Sequence, residues 1–242
     1  MYNHLFAPAI GRKLGIVLMV LLIGVSRGYA QEWTFQAGIN VTNFSFQNSN
    51  GQTLSGIKPG SGNSLGIQYQ RNWVDTSALL LKSNPAAIYI NQHPTLAKLL
   101  SRFQWGLGIH LNQYNAVGDA VNTAYSYQTN YVGISPTLAY KQKIYQGLSL
   151  QGAAILQINR LIQGNQWVNN RFVDLRNDPQ FNGIQSLTGY QVVISQKITE
   201  NLQISMQAVQ LANTSPIASQ GTTLSMRPMQ LLFGIIIQPK SK

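Results

Sequence analysis

Apolar and polar residues alternate with a period of two along most of the chain. In the first such run, apolar residues stand at every second position from Trp33 to Val41, with polar or small residues between them. Successive side chains of a β-strand point to opposite faces, so this alternation predicts a strand with one apolar face. The pattern recurs in seven further stretches, and together the runs predict eight strands: 33–41, 65–73, 103–111, 132–140, 148–158, 190–198, 202–208 and 231–237.

The connections between these runs alternate in length. If each strand reverses the direction of the one before it, the long connections all lie at one end of the sheet. The short turns, at 145–147 and 199–201, then lie at the other end with both chain termini. This layout predicts an all-β, antiparallel up-and-down β-barrel. The long polar connections are 47–63, 116–129, 159–186 and 212–222.

One connection breaks this alternation, because the stretch 75–102 stands where a tight turn is expected. We predict an irregular or helical connection, since Pro94 opens a leucine-rich stretch that is typical of a short amphipathic helix. Residues 78–81 and 86–91 could instead form an additional hairpin. The sequence therefore favours 8 strands and leaves 10 possible.

Composition indicates which face of the barrel points outward. Of the 242 residues, 10% are charged, against roughly 25% in an average soluble domain. The polar positions hold uncharged side chains, many of them among the 26 Gln and 21 Asn. A barrel exterior in water would carry Lys and Glu there, whereas amides suit a narrow interior in which they bond to one another. We therefore predict a transmembrane barrel with its apolar face toward lipid.

The aromatic residues are concentrated near the two predicted ends of the strands. Aromatic belts are expected where a barrel crosses the two interfaces of a membrane. The group near the short turns comprises Trp33, Phe35, Trp73, Phe103, Trp105, Tyr140 and Tyr145, and the group near the long loops comprises Phe44, Phe46, Tyr114 and Tyr131.

The N-terminal stretch 1–30 has the pattern of a secretory signal peptide. Arg12 and Lys13 precede an apolar run at 14–25, and small residues follow at 28–30. At about 1.5 Å per residue a helix over that run spans roughly 18 Å, too short for a hydrocarbon core of about 30 Å. We therefore predict that residues 31–242 are exported as one barrel domain.

With these features, residues 31–242 resemble the small outer-membrane β-barrel proteins of Gram-negative bacteria. The signal end at 28–31 (GYAQ) and the richness in Asn and Gln are similar to exported proteins of the Bacteroidota. Two fragments, 71–73 (RNW) and 83–87 (SNPAA), resemble parts of the type IX secretion barrel family. The resemblance implies a location in the cell outer membrane, with outer-membrane lipid and other envelope proteins as partners.

The inventory of reactive side chains argues against several kinds of chemistry. The chain has no cysteine, which excludes disulfides, thiolate catalysis and cysteine-based zinc sites. Its histidines are His4, His93 and His110, so a multi-histidine metal centre is not expected. The net charge is +11, but the basic residues are scattered and form no nucleic-acid reader motif. We predict no cofactor, no metal and no nucleic-acid partner.

His110 is the one histidine within a predicted strand, and it lies at one of the polar positions of the alternating pattern. It could act as a general base for a nearby serine. We favour a hydrogen-bonded residue of the barrel interior, beside Gln104 and Asn112. An eight-stranded barrel has an interior just wide enough for side chains to fill, so an open pore is not expected.

The largest predicted external loop, 159–186, is the candidate binding surface. An exposed Trp beside Arg residues fits a protein interface, where these types dominate the binding energy. Asp174 and Asp178 could bind a cation there, although pairing with neighbouring arginines is favoured. We predict a non-enzymatic structural or binding subunit. The alternatives are an accessory component of a secretion or gliding complex, a barrel enzyme acting on lipid or peptide, and a soluble exported ligand-binding barrel. The candidate residues are Trp167, Arg171, Phe172, Arg176 and Phe181.

Overall fold

In a computed structural model of the chain, the described residues form ten β-strands and three short helical segments. It describes residues 31–47, 50–53, 56–73, 94–120, 123–168, 171–214, 217–219 and 222–239. The strands are β1 (Gln31–Gln47), β2 (Ile57–Asn72), β3 (Phe103–Ala120), β4 (Thr123–Tyr145), β5 (Leu148–Val168), β6 (Arg171–Asp174), β7 (Ile184–Lys197), β8 (Leu202–Asn213), β9 (Ile217–Ser219) and β10 (Thr222–Ile237).

Eight of these strands form a closed antiparallel barrel. They follow one another around the ring as β1-β2-β3-β4-β5-β7-β8-β10, and β10 pairs with β1 to close it. The short strands β6 and β9 pair with β5 and β10 and do not belong to the ring. The structure therefore confirms the eight-stranded up-and-down barrel. The alternative hairpin at 78–81 and 86–91 and the predicted signal peptide at 1–30 lie outside the described residues.

The two ends of the barrel differ in their connections. The turn end carries the tight turns after β4 and β7, the first residue of β1 and the last residue of β10. Gly147 lies in the first of these turns with φ +82°, a conformation that favours glycine. A helix, α1 (Pro94–Leu100), precedes β3 at this end. The loop end carries a 3-10 helix (Leu175–Asn177) and α2 (Pro179–Asn182) between β6 and β7.

No helix among the described residues is long and apolar enough to cross a membrane.

Several strands continue beyond the alternating runs at the loop end. The predicted loop 116–129 is mostly a hairpin, because β3 and β4 stay paired as far as Ala120 and Thr123. Likewise β5 continues to Val168, through the first part of the predicted loop 159–186. A strand of roughly 10 residues crosses a membrane, and β4 has 23. The alternation of apolar and polar residues is weaker here, because a strand outside the membrane does not contact lipid and both of its faces can be polar.

The strands bury their polar faces and expose their apolar faces. On β1, Gln36 and Asn40 are buried, whereas Phe35 and Ile39 are 44% and 54% exposed. The same arrangement continues around the ring, where buried Gln, Asn, Ser and Thr side chains fill the interior. This is the reverse of a water-soluble ligand-binding barrel, and it agrees with the orientation inferred from the shortage of charge.

Candidate functional site

An ion pair spans the lumen at the turn end. Lys141 Nζ on β4 donates to both carboxylate oxygens of Glu32 on β1, at 2.8 Å each. Because β2 and β3 separate these two strands in the ring, the pair crosses the interior and does not run along the wall. Gln238 Nε2 also donates to Glu32 Oε1 at 2.6 Å. The carboxylate is thereby satisfied at a site that is mostly removed from water.

His110 lies in the middle of the lumen, 6% exposed. The amide nitrogen of Gln36 lies 3.3 Å from Nδ1, and the Ser135 hydroxyl contacts Nε2. Both ring nitrogens are thus in hydrogen-bond contact with uncharged polar side chains of the barrel interior. The pairing therefore supports the interpretation of His110 as a lumen residue.

Inward-facing glycines make room for the His110 ring. A Cβ added at Gly66 would lie 2.6 Å from His110 Nδ1, and one at Gly108 would lie 2.6 Å from Nε2. Either distance is too short for unstrained contact, so both positions need a residue without a side chain. Gly108 belongs to the GLG sequence at 106–108, which the structure places within β3 as the sequence predicted.

An apolar cluster, here called the lumen plug, fills the barrel interior at the loop end. It contains aromatic residues that were predicted to form a second aromatic belt facing lipid, and that prediction is wrong. Phe44 follows Asn40 and Thr42 on the inward parity of β1, so its side chain enters the interior. Tyr114 and Tyr131 face inward in the same way, and both are 0% exposed. The plug comprises Phe44, Tyr114, Ala116, Tyr131, Leu161, Leu175, Phe181, Leu187, Val209, Leu211, Leu224, Met226 and Leu232, with Phe46, Ile57, Tyr127 and Ile155 packed against it.

The connection between β6 and β7 folds over the plug. Leu175 from the 3-10 helix is 1% exposed, and Phe181 from α2 is 4% exposed. The Tyr127 ring stacks between Phe44 and Phe181, with centroid distances of 6.3 and 5.9 Å. The prediction that Phe181 belongs to a binding surface is therefore corrected, because its ring is used to close the barrel.

Side chains cross the lumen at three levels within the part of the chain that the structure describes. The ion pair lies at the turn end, the polar layer around His110 occupies the middle, and the lumen plug occupies the loop end. The interior is therefore blocked by side chains, as expected of a barrel of this size, and a polar cavity of about 1210 Å³ remains beside the ion pair at the turn end.

A hairpin of β5 and β6 carries the exposed candidate residues and is here called the hairpin tip (Trp167, Val168, Arg171, Phe172). Trp167 is paired with Phe172 across the hairpin, and their rings contact edge to face at a centroid distance of 5.5 Å. The two side chains are 47% and 55% exposed, and Arg171 beside them is exposed as well. The structure therefore brings three of the five predicted binding residues together.

The fourth predicted residue, Arg176, forms a local ion pair with Asp174. Its Nη2 donates to Asp174 Oδ2 at 2.6 Å, and its Nε donates to both carboxylate oxygens. These hydrogen bonds hold the pKa of the Asp174 carboxyl below its ordinary value and raise the pKa of Arg176. The Asp174 carboxylate is thus paired with an arginine, the arrangement that the sequence favoured over cation binding. No cluster of three potential metal ligands occurs among the residues described.

The exterior of the barrel is apolar, with exposed aromatic residues near the turn end. Trp73, Trp105 and Tyr145 are 62%, 36% and 69% exposed, and aliphatic side chains cover the strands above them. An apolar outer face around a filled, closed, polar-lined barrel is the architecture of outer-membrane β-barrels. The fold class and the outer-membrane location predicted from the sequence are confirmed on this basis.

Sequence reasoning missed the partners of His110 and the members of the lumen plug. Ser135 lies on β4, next to the strand that carries His110, and Gln36 lies on β1, two strands away, so these contacts depend on the strand order and register of the barrel. The plug residues on strands do carry a signal, because each has the same parity as the inward-facing polar residues of its strand, whereas Leu175 and Phe181 lie in helical segments and carry no such signal.

The chain has low similarity to β-barrel proteins of known structure. No family model matches the sequence, and no curated protein matches it. Among solved structures, Neisserial surface protein A is 12% identical, with a TM-score of 0.44, covering 86% of this chain and 97% of its own. The outer membrane protein OprG from Pseudomonas aeruginosa is 9% identical, with a TM-score of 0.44 and coverages of 88% and 98%. A major outer membrane protein from Thermus thermophilus is 11% identical, with a TM-score of 0.45 and coverages of 86% and 99%. Similarity this remote carries no argument about the function of the chain.

Proposed function

We propose that this chain is a non-enzymatic outer-membrane β-barrel that acts as a structural or binding subunit through the hairpin tip at its loop end. The observation that carries the proposal is the contact between Trp167 and Phe172, which holds two half-exposed aromatic rings beyond the barrel wall. Tryptophan, together with arginine, dominates the energetics of protein interfaces, and Arg171 lies beside the pair. Solvated aromatic surface of this kind is typical of a contact site.

The filled lumen supports a role on the surface of the barrel over a role in transport. A small solute would have to displace the Glu32–Lys141 pair and the lumen plug, both of which are integral to the packing. The partners proposed are outer-membrane lipid around the wall and another envelope protein at the hairpin tip. An accessory place in a secretion or gliding complex, and an origin in the Bacteroidota, stay predictions from sequence.

The size of the native complex tests this proposal. The double variant Trp167→Ala/Phe172→Ala removes the aromatic pair without touching the barrel, so the complex extracted in mild detergent is expected to shrink on a native gel. Tyr145→Ala is the matched control, because Tyr145 is also well exposed, at 69%, but lies at the turn end. Equal complex sizes for the wild type and the double variant would contradict the proposed binding site.

A hydrolase assay tests the non-enzymatic part of the proposal. Gln36 and Ser135 occupy the two ring nitrogens of His110, and the described residues place no carboxylate against that ring. Purified wild type and His110→Ala are therefore expected to hydrolyse lipid and peptide esters equally slowly, at the rate of the detergent blank. Turnover by the wild type that is lost in His110→Ala would establish an enzyme instead.

A further inference from the structure

A concave apolar groove crosses the outer wall of the barrel, and we propose that it binds an anionic phospholipid of the leaflet at the turn end. The groove has a volume of about 1440 Å³ and is centred on β1, with β2 and β3 on one side and β10, β8 and β7 on the other. Its position on the wall separates it from the hairpin tip. The inference therefore goes beyond the binding role proposed above.

The walls of the groove are suited to acyl chains. Most of the side chains that line it come from the outward parity of neighbouring strands and are hydrocarbon, although the lumen residues Gln36, His110 and Ser205 also border it. Apolar side chains in a concave surface gain contacts with a flexible chain that a convex barrel wall does not offer. Representative lining residues are Phe35, Ile67, Leu107, Ile109, Met206 and Phe233.

Three aromatic rings mark the turn end of the groove. Tyr69 lies on the outward parity of β2, yet it is only 7% exposed. Its ring packs between Trp33 and Trp105, with centroid distances of 5.1 and 5.7 Å. Aromatic residues of this kind are enriched at the level of lipid headgroups. The headgroup end of the groove is therefore expected at these rings.

A guanidinium lies at the same end of the groove. Arg71 lines it, two residues beyond Tyr69 on β2 and in register with Trp105 on β3. Within the described ranges the ion pairs are Lys141–Glu32 and Arg176–Asp174, so no carboxylate there forms a salt bridge with Arg71. A half-buried arginine at a membrane interface is the complement of a phosphodiester, whose oxygens can accept two parallel hydrogen bonds from it. This complementarity selects an anionic headgroup.

The length of the groove matches one leaflet. Arg71 and Leu65 both line it and are six residues apart on β2, which corresponds to roughly 20 Å at about 3.3 Å per residue. A strand tilt of about 40° reduces this to roughly 15 Å along the membrane normal. That is half of a hydrocarbon core of about 30 Å. A phospholipid with its headgroup at Arg71 would thus extend its chains to the centre of the bilayer.

Quenching of tryptophan fluorescence by brominated lipids measures the proposed selectivity. The full barrel, with Trp73 replaced by Phe because it is exposed at the same end outside the groove, is reconstituted into phosphatidylcholine vesicles that contain either brominated phosphatidylglycerol or brominated phosphatidylcholine, and Trp33 and Trp105 report occupancy of the groove. We expect phosphatidylglycerol to bind about fivefold more tightly, the factor that one cation near an anionic surface provides. Arg71→Gln is expected to abolish this preference, and Arg71→Lys to retain part of it.

Arg160→Gln is the matched control, since Arg160 is an exposed arginine of β5 outside the groove. It is expected to keep the wild-type preference, and a heat-modifiability gel shows that each variant is folded. Equal quenching by the two lipids in the wild type, or an unchanged preference in Arg71→Gln, would overturn the proposal. So would a chemically cross-linked dimer that excludes lipid from the groove, which would identify a second copy of the chain as the occupant. None of these results depends on the hairpin tip.

Discussion

Lys141 reaches across the lumen to Glu32, with its ammonium nitrogen 2.8 Å from both carboxylate oxygens. The two side chains are 14% and 8% exposed, so each charge depends on the other for most of its stabilisation. The pair joins strands three positions apart in the ring and acts as a cross-brace at the turn end.

Removing the carboxylate should therefore cost considerable stability. Glu32→Gln leaves the Lys141 cation without its counter-charge, and we expect the free energy of unfolding to fall by about 3 kcal/mol. The double variant Glu32→Gln/Lys141→Met should recover much of this loss, because neither charge is then buried. The folded fraction on heat-modifiability gels across a urea series measures the effect. Glu200→Gln, at an exposed turn, is the control, and equal stability of Glu32→Gln and the control would refute the brace.

The glycine at position 108 should be sensitive to a single methyl group. A Cβ there would lie 2.6 Å from His110 Nε2 and 2.7 Å from Ser135 Oγ, so Gly108→Ala is expected to destabilise the barrel by about 1–3 kcal/mol. Gly152→Ala is the matched control, because a Cβ at that strand position meets nothing within 4 Å. The same urea series compares the two, and similar midpoints would show that the polar layer is loosely packed.

Two phenylalanines, one buried and one exposed, should respond differently to truncation. Phe181→Ala removes a ring from the lumen plug, and we expect a loss of about 3–5 kcal/mol of unfolding free energy. Phe172→Ala removes an exposed ring of the hairpin tip and should change stability by less than about 0.5 kcal/mol. Thermal unfolding of the purified variants in one detergent distinguishes them. A stable Phe181→Ala protein would mean that α2 does not close the barrel.

The ion pair at the loop end should respond to acid. Because Arg176 lowers the pKa of Asp174, the pair stabilises its loop above the ordinary carboxyl pKa of 3.8. This contribution is lost as the pH falls through the lowered pKa, so the pair is expected to be intact at neutral pH. Arg176→Gln should move the pKa of Asp174 up toward its ordinary value, whereas Arg171→Gln should leave it unchanged. The carboxyl carbon chemical shift, followed by NMR across acidic pH, reports the pKa, and identical titrations in both variants would contradict the pairing.

The alternation of residue types predicted the barrel because the membrane imposes a strict rule on each strand. Every residue between the two interfaces faces either lipid or the lumen, so Phe35 is apolar and its neighbour Gln36 is polar. Outside the membrane both faces of a strand can be polar, and the alternation is lost. The stretch 116–129 therefore has the composition of a polar loop, although its two arms are paired as far as Ala120 and Thr123.

The candidate site was predicted only in part, because the burial of Phe181 depends on how its connection packs over the lumen plug. The exposed positions of Trp167 and Phe172 follow from local sequence, as does the pairing of Arg176 with the nearby Asp174. Phe181 has the same composition cues as Phe172, and only the path of α2 over the plug distinguishes them. The hydrophobicity of an aromatic residue is equally compatible with a position at the surface and with one inside the lumen, so it does not distinguish the two.

The pairing of Trp33 with Ile237 joins the first strand of the ring to the last. Without β10 the sheet has two unpaired edge strands, and unpaired backbone N–H and C=O groups cost free energy in the hydrocarbon of the membrane. A chain without β10 is therefore expected to insert poorly and to be degraded by proteases more readily than the complete barrel, so the 16 residues of β10 carry the closure on which a stable membrane barrel depends.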